Sequence, residues 1–533
     1  MEHLDQKKKI SIMLAIMAAM LFAALNQTIV GTALPKIVGE LGGFEYYSWV
    51  FTSFMLASSV TAILVGKLSD TYGRKPFILI GIGIFIVGSF LCGLSENIIE
   101  LIIYRGVQGF GGGMIMSTAF TAVGDLFSPR ERGRWQGIMS GVFGLASVFG
   151  PTLGGYIVDH THWKWVFWVF LPVGIIAFAM IFWLFPSIKR TEKVPIDYLG
   201  SLFLTLTIVP LLLAFSWAGS RYDWASTEIL GLFCAAAVAL ILFIVAERKA
   251  KSPVVPLSLF KNGIFTISNA VGLILGAGMF GAIMYMPFFV QGVMGTSATQ
   301  SGFIMMPMTL AMVLASTIGG QLITKTGKYK LIALTGLLTM AVGMYLLSLM
   351  TAATSVPVAV LFIIIVGFGL GLAFPVFTLT VQNAVDQKLL GVATASTQLF
   401  RQLGGTIGVA ILGTIMNARM NSKIGELMEQ NQGALPTDPE VLETLEFLQD
   451  PQVLMDHQKV DEFLLSIPQE LQLIVQDMLN LMKDALSFSL TGVFFIGSII
   501  MLSAFILTFL LKEIPLRTSN QAPAKDEASQ GTE

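Results

Sequence analysis

Fourteen stretches of roughly 20 or more mostly apolar residues recur along the chain, and no other feature restricts its folding as tightly. They lie at roughly 10–33, 47–66, 76–94, 98–124, 134–158, 163–185, 198–217, 228–246, 264–290, 300–323, 330–350, 356–382, 396–417 and 486–511. Each can cross a hydrocarbon core about 30 Å thick as a helix, which bonds its own backbone where no water can. The polar remainder is too sparse to cover a globule: 32 Lys+Arg and 33 Asp+Glu serve 533 residues. Soluble, fibrous and disordered chains are excluded, and an all-α polytopic membrane protein remains. Cys92 and Cys234 both sit in apolar runs, so no disulfide framework is expected.

Basic residues fix the expected orientation. With a cytoplasmic amino terminus, 23 of the 32 Lys+Arg fall on the inside, seven fall outside, and two, Arg105 and Arg401, lie within helices. Both termini are then cytoplasmic in a multi-pass protein of the plasma membrane. The first run follows Lys7, Lys8 and Lys9 and lacks a small-residue cleavage site, which marks it as an uncleaved anchor. The net charge of -1 gives no reason to expect nucleic acid as a partner.

The segment Gly66-Lys-Leu-Ser-Asp70-Thr-Tyr-Gly73-Arg74-Lys75-Pro76 aligns without a gap on Gly320-Gln-Leu-Ile-Thr-Lys-Thr-Gly327-Lys328-Tyr-Lys330. Gly109, Gly111 and Gly113 likewise match Gly367, Gly369 and Gly371, and Gly133 then matches Gly391 at the same offset. Two related six-helix bundles are implied. We expect residues 1–9 as a cytoplasmic terminus, 10–190 and 251–515 as the bundles, 191–250 as an inserted two-helix linker and 516–533 as a disordered cytoplasmic tail. Residues 418–484 form an expected extracellular loop with thirteen Asp+Glu against four Lys+Arg. Apolar spacing over 439–449 and 467–484 suits two amphipathic helices capping the outer opening; a solvated excursion without function is the alternative.

Several polar or helix-breaking groups demand explanation at bilayer depth. Arg105 stands about two turns inside the fourth run, where an unpaired guanidinium costs about 2.5–3.5 kcal/mol on insertion scales, so it needs a partner or a wet cavity. Gly150, Pro151, Gly154 and Gly155 in the fifth run weaken a plain helix and favour a hinge or close helix approach. Gly66 and Gly73 suit a tight turn, while Asp70 and Arg74 can latch neighbouring helices.

These segments resemble, in turn, the fourth-helix, antiporter and signature-loop motifs of the major facilitator superfamily. Leu25-Asn26-Gln27-Thr28 through Ala33-Leu34-Pro35 looks like the first-helix motif of its fourteen-helix drug:proton antiporter (multidrug efflux) family. The resemblance implies two six-helix bundles plus two additional helices, with substrate bound between the bundles. It implies that Asp70 docks against the thirteenth span, whose amino end is taken to carry Arg401, and that Arg105 takes part in proton transfer. The implied activity is export of lipophilic or cationic compounds by proton antiport. The implied partners are small hydrophobic or amphipathic substrates, protons and membrane lipids, handled by a monomer without cofactors. A lipid or lipid-linked glycan flippase of the same fold, or a non-transporting receptor or scaffold, are the rival readings.

One departure stands out, because many members have an aspartate where Asn26 stands. No other carboxylate lies deep in a run, and an amide cannot titrate. Asn26 is a natural variant with coupling through rim carboxylates or other ions, an engineered neutral mimic of a protonated acid, or a cavity hydrogen-bonder. Asn26, Gln27 and Arg105 are the candidates for cavity and coupling in the first bundle. Asn269, Tyr285, Gln382 and Gln398 are those for substrate contact in the second. No ATP-binding GxxxxGK[ST] occurs, and His160 and His162 beside Asp159 read as interfacial histidines, so no metal site is expected.

Overall fold

The computed structural model describes residues 5–41, 47–186, 197–218, 222–251, 253–296, 298–430 and 469–516. Fourteen long helices dominate these residues. In the first bundle they are α1 (Gln6–Leu41), α2 (Tyr47–Tyr72), α3 (Arg74–Leu94), α4 (Ile98–Leu126), α5 (Pro129–His160) and α6, which runs as two pieces, Trp165–Trp168 and Leu171–Leu184. A hairpin of α7 (Tyr198–Trp217) and α8 (Thr227–Lys249) follows. The second bundle has α9 (Gly263–Phe288), α10 (Ala298–Thr326), α11 (Lys330–Ser348), α12 (Val356–Ala384), α13 (Leu390–Gln430) and α14 (Gln469–Thr508).

All but α4 have both the length and the hydropathy to cross a membrane. In α4 Arg105, Gln108 and a run of glycines dilute the apolar content, yet its 29 residues suffice for a crossing and it packs between α2 and α3. Local chemistry sets the helix ends. Asn97, Asp197 and Ser226 each accept a backbone N–H in the first turn that follows, and Pro172 opens the second piece of α6, where its missing N–H costs nothing. Large apolar side chains such as Trp183, Leu331 and Ile506 remain exposed on the outer faces, as a lipid solvent requires.

The internal repeat is legible in the packing. Gly109 and Gly113 press on backbone of α2 at Phe54 and Ser58, while Gly111 presses on α3 at Gly81 and Phe85. Gly367 and Gly371 do the same to α10 at Met308 and Met312, and Gly369 to α11 at Met340 and Gly336. Both turn glycines take positive φ, 93° at Gly73 and 70° at Gly327, the conformation that a side chain resists. The α7–α8 hairpin lies against the seam of α2 and α13 through Leu204, Ile208 and Leu212, packed with Val60, Ile63 and Val392.

Two expectations need correction. The thirteenth and fourteenth spans were placed at 396–417 and 486–511, but α13 has 41 residues and α14 has 40. Each is about 60 Å long, about twice the hydrocarbon core. Both flanks of the supposed 418–484 loop therefore continue the spanning helices and pack on each other, with Met420 and Ile424 in one cluster with Val475, Leu479 and Met482. The signal was present as helical apolar spacing over 467–484, which read as a separate cap because charges interrupt it. The expected helix over 439–449 lies outside the described residues, as do the tail from 517 and the start of the linker at 191–196.

Candidate functional site

The bundles meet closely at the helix ends that carry the Gly66–Lys75 and Gly320–Lys330 turns, called here the turn end. Two seams related by the repeat close it. Gly66 of α2 meets Gly391 and Ala395 of α13, and Gly320 of α10 meets Gly133 of α5. Glycine is required at these crossings because a Cβ would strike a facing carbonyl. The α5–α10 seam continues through Gly137 against Ser316 to Gly144 against Met312 and Thr309, halfway along both helices.

An ionic cluster locks the first seam. Arg74 opens α3 with its guanidinium pinned by Asp70, by Asp125 at 2.9 Å and by the Ser69 hydroxyl at 2.6 Å. The Asp70 carboxylate in turn accepts the N–H groups of Gly391 at 3.0 Å and Val392 at 3.1 Å, at the amino terminus of α13. The partial positive charge of a helix start stabilises an anion there. This corrects the latch expected from sequence. Arg401 is not at the amino end of its helix but eleven residues past Leu390, and Asp70 meets backbone instead. The helix begins at Leu390 because Gly391 and the small residues after it pack directly on α2, ahead of the strongly apolar run.

A second polar cluster reinforces the turn end. The Gln382 amide donates to Phe120 O at 3.2 Å and Thr394 Oγ1 at 3.0 Å and accepts from Gln136 at 3.3 Å, while Arg132 donates to the Gln382 carbonyl at 3.4 Å. Gln382, expected to contact substrate, is therefore buried in the closure between the bundles.

Deep in the first bundle, α1, α3 and α4 bring together a fully buried chain of polar groups. Arg105 donates to Gln108 Oε1 at 2.5 Å and to Val50 O at 3.3 Å, and its guanidinium lies 4.4 Å from the Phe54 ring centroid. Gln108 donates to Asn26 Oδ1 at 3.0 Å and to Ser89 at 2.6 Å. Asn26 Nδ2 and Arg105 Nη2 are buried without a hydrogen-bond partner among the described residues. Gln108 joins Arg105 to Asn26, a role its three-residue spacing from Arg105 on one helix face could have suggested. Gln27 is half-buried beside this chain. Gly150 of α5 lies against Thr28, whose hydroxyl donates to Ala146 O at 2.9 Å, so the glycine-rich stretch lets α5 approach α1 closely; Gly154 is buried and Gly155 faces open space. The side chain of Pro151 lies outside the described set.

The second bundle holds the remaining candidates. Tyr285 donates to Val409 O at 2.7 Å and ties α9 to α13, while Asn269 donates to Phe265 O at 2.9 Å within α9 itself. Asn269 Oδ1 and Gln398 Nε2 are buried without partners among the described residues. Arg401 is half-buried, 4.0 Å from the ring centroid of Phe374 on α12.

Residues 16–409 match the family model described as Major Facilitator Superfamily. The chain is 40% identical over 99% of its length, and 98% of the relative's, to the multidrug transporter protein MdtP of Bacillus subtilis. It is 35% identical over 94% of its length, and 95% of the relative's, to multidrug resistance protein 3 of the same organism. A crystal structure of the human organic anion transporter MFSD10 superposes with a TM-score of 0.62 at 14% identity, covering 94% of this chain and 99% of that one, which supports the fold. By the family match over most of its length and its identity to these relatives, this chain belongs to the major facilitator superfamily and is a multi-pass membrane transporter.

Proposed function

We propose that this transporter exports lipophilic, amphipathic compounds across the plasma membrane by proton antiport, through rocking of the bundles formed by residues 10–190 and 251–515. The observation that carries the reading is the closure of the turn end. Gly66, Gly133, Gly320 and Gly391 seal the turn end. With the turn end cytoplasmic, as the lysine and arginine distribution favours, this closure fits the state from which an exporter releases its substrate outside. The multidrug names of two relatives support the substrate class.

Coupling through Asn26 would require a titratable group, which an amide lacks. Asp70 and Asp125 hold the latch through Arg74 and the start of α13, and a proton on either carboxylate weakens it. A proton reaching either carboxylate would thus favour opening toward the cytoplasm, the step that reloads an exporter. Arg105 and Gln108 would hold Asn26 in place inside the first bundle, and Gly150 to Gly155 would set how far α5 can move against α1.

The test uses the full chain reconstituted into vesicles with an imposed proton gradient. Uptake of a lipophilic dye into inside-out vesicles acidified within, lost on collapsing the gradient, is the expected result. Dye movement independent of the gradient overturns the coupling. Movement of labelled lipid in place of dye overturns the export reading.

A further inference from the structure

We infer that Arg401, with Gln398 one turn before it on α13, forms a subsite for the anionic group of the substrate, a carboxylate or sulfonate on an amphipathic molecule. This inference rests on the export reading above and narrows its substrate class. It runs against the cationic substrates implied by the family resemblance.

Arg401 stands at bilayer depth without a counter-charge. Eleven residues separate it from Leu390, so it lies about 16 Å from the start of α13, near the middle of the core. Its depth matches that of Gly144 on the α5–α10 seam, which lies eleven residues past Gly133. Among the described residues it makes neither a hydrogen bond nor an ion pair, and its contact is the face of Phe374. A guanidinium directed at lipid hydrocarbon would be strongly disfavoured, so the open side of this half-buried residue faces the space between the bundles.

The chain itself supplies no acid to neutralise it. Between Glu247 and Glu426 the sequence contains a single carboxylate, Asp386, at the turn end before α13. The acids of the first bundle's helices sit at helix ends, Asp477 and Asp484 lie on the extension of α14 that packs beside Met420, and Arg105 too is held by neutral acceptors. The interior is therefore cationic. Gln398 Nε2 adds a donor without an acceptor on the adjacent turn. Two donor groups at i and i+3, a net positive charge and an apolar ring at Phe374 fit a ligand that has acceptor oxygens, negative charge and a hydrophobic body. An amphipathic anion has all three.

The test compares dansyl-undecanoate with its methyl ester, which differs only in lacking the charge, by fluorescence titration of the full chain in phosphatidylcholine nanodiscs. The carboxylate is expected to bind at least about ten-fold tighter, and Arg401→Ala to remove that preference, so that acid and ester bind alike. Arg401→Lys should retain part of it. Equal binding of acid and ester to the unaltered protein overturns the proposal whether or not the variants fold. Loss of the preference when chloride replaces gluconate, or when phosphatidylglycerol is added, would assign the site to an inorganic anion or a lipid headgroup and also overturn it. Failure of the export reading would show separately, as absence of gradient-driven movement of every compound in vesicles.

Discussion

Asp70 of α2 accepts the backbone N–H of Gly391, the second residue of α13, at 3.0 Å across the boundary between the two bundles. The contact exists only while Gly66 and Gly391 touch, so it reports and stabilises closure of the turn end.

Asp70→Asn keeps an acceptor oxygen but removes the charge that faces the start of α13 and Arg74. Hydrogen bonds to charged groups exceed neutral ones by about 1 kcal/mol, which shifts the closed state by roughly five- to ten-fold. Ser316 on the α5–α10 seam is buried and offers a near-isosteric reporter as Ser316→Cys, with Cys92 and Cys234 replaced by serine. Its labelling by a water-soluble maleimide should accelerate by that factor in the Asp70→Asn background. An unchanged rate would separate the latch from closure.

The seam itself predicts a steric result. A Cβ on Gly320 would overlap the carbonyl of Gly133, while one on Gly83 of α3 meets nothing within 4 Å. Gly320→Ala should oppose closure by about 1–3 kcal/mol and lower vesicle transport at least ten-fold. Gly83→Ala should leave transport intact and raise the melting temperature slightly, because alanine favours the helix by up to about 1 kcal/mol. Equal transport by the two variants would sink the reading of the seam.

The apolar runs revealed the spanning helices because a bilayer leaves few alternatives for an unbroken stretch of twenty apolar residues. The repeat was equally readable, since Gly73 and Gly327, or Gly111 and Gly369, meet identical backbone constraints in both bundles. The site was only half legible. Asn26 and Arg105 could be named as polar groups in apolar surroundings, but their connection through Gln108 and Ser89 depends on how α1, α3 and α4 are rotated. Arg401 was misplaced because hydropathy locates the apolar part of a helix and not its first residue. Gln382 gave no sign that its amide would fasten α12 to α4 and α5.

Glu513, just past α14, accepts the N–H of Tyr329 at 2.8 Å and of Lys330 at 3.2 Å and so caps α11 from the far end of the chain. Ile514 N donates to the Tyr329 hydroxyl at 2.9 Å, which holds this segment in place. Glu513→Ala leaves the start of α11 uncapped and should cost about 1–2 kcal/mol, seen as a lower midpoint for thermal unfolding of the purified protein. Glu513→Gln should recover part of the loss, because its amide oxygen can still accept. Identical midpoints for all three proteins would show that the cap contributes nothing.

Asn26→Asp converts the buried polar chain into one that titrates. The amide now accepts from Gln108 through Oδ1 and leaves Nδ2 without a partner among the described residues, with Arg105 one side chain further on. A protonated aspartate is nearly isosteric with asparagine, so at low pH the variant should transport like the unaltered protein. As pH rises and the acid ionises, the new negative charge is drawn toward Arg105, and the hydrogen bonds around Gln108 must reorganise. The rate should therefore depart from that of the unaltered protein through one titration step, and Gln108→Leu in the same background should shift that step by removing the link to Arg105. The measurement is vesicle transport from pH 5 to 9, with the gradient held constant. Superimposable profiles for the unaltered protein and Asn26→Asp would mean that this position has no part in the conformational cycle, and would leave Asp70 and Asp125 as the carboxylates through which protons act.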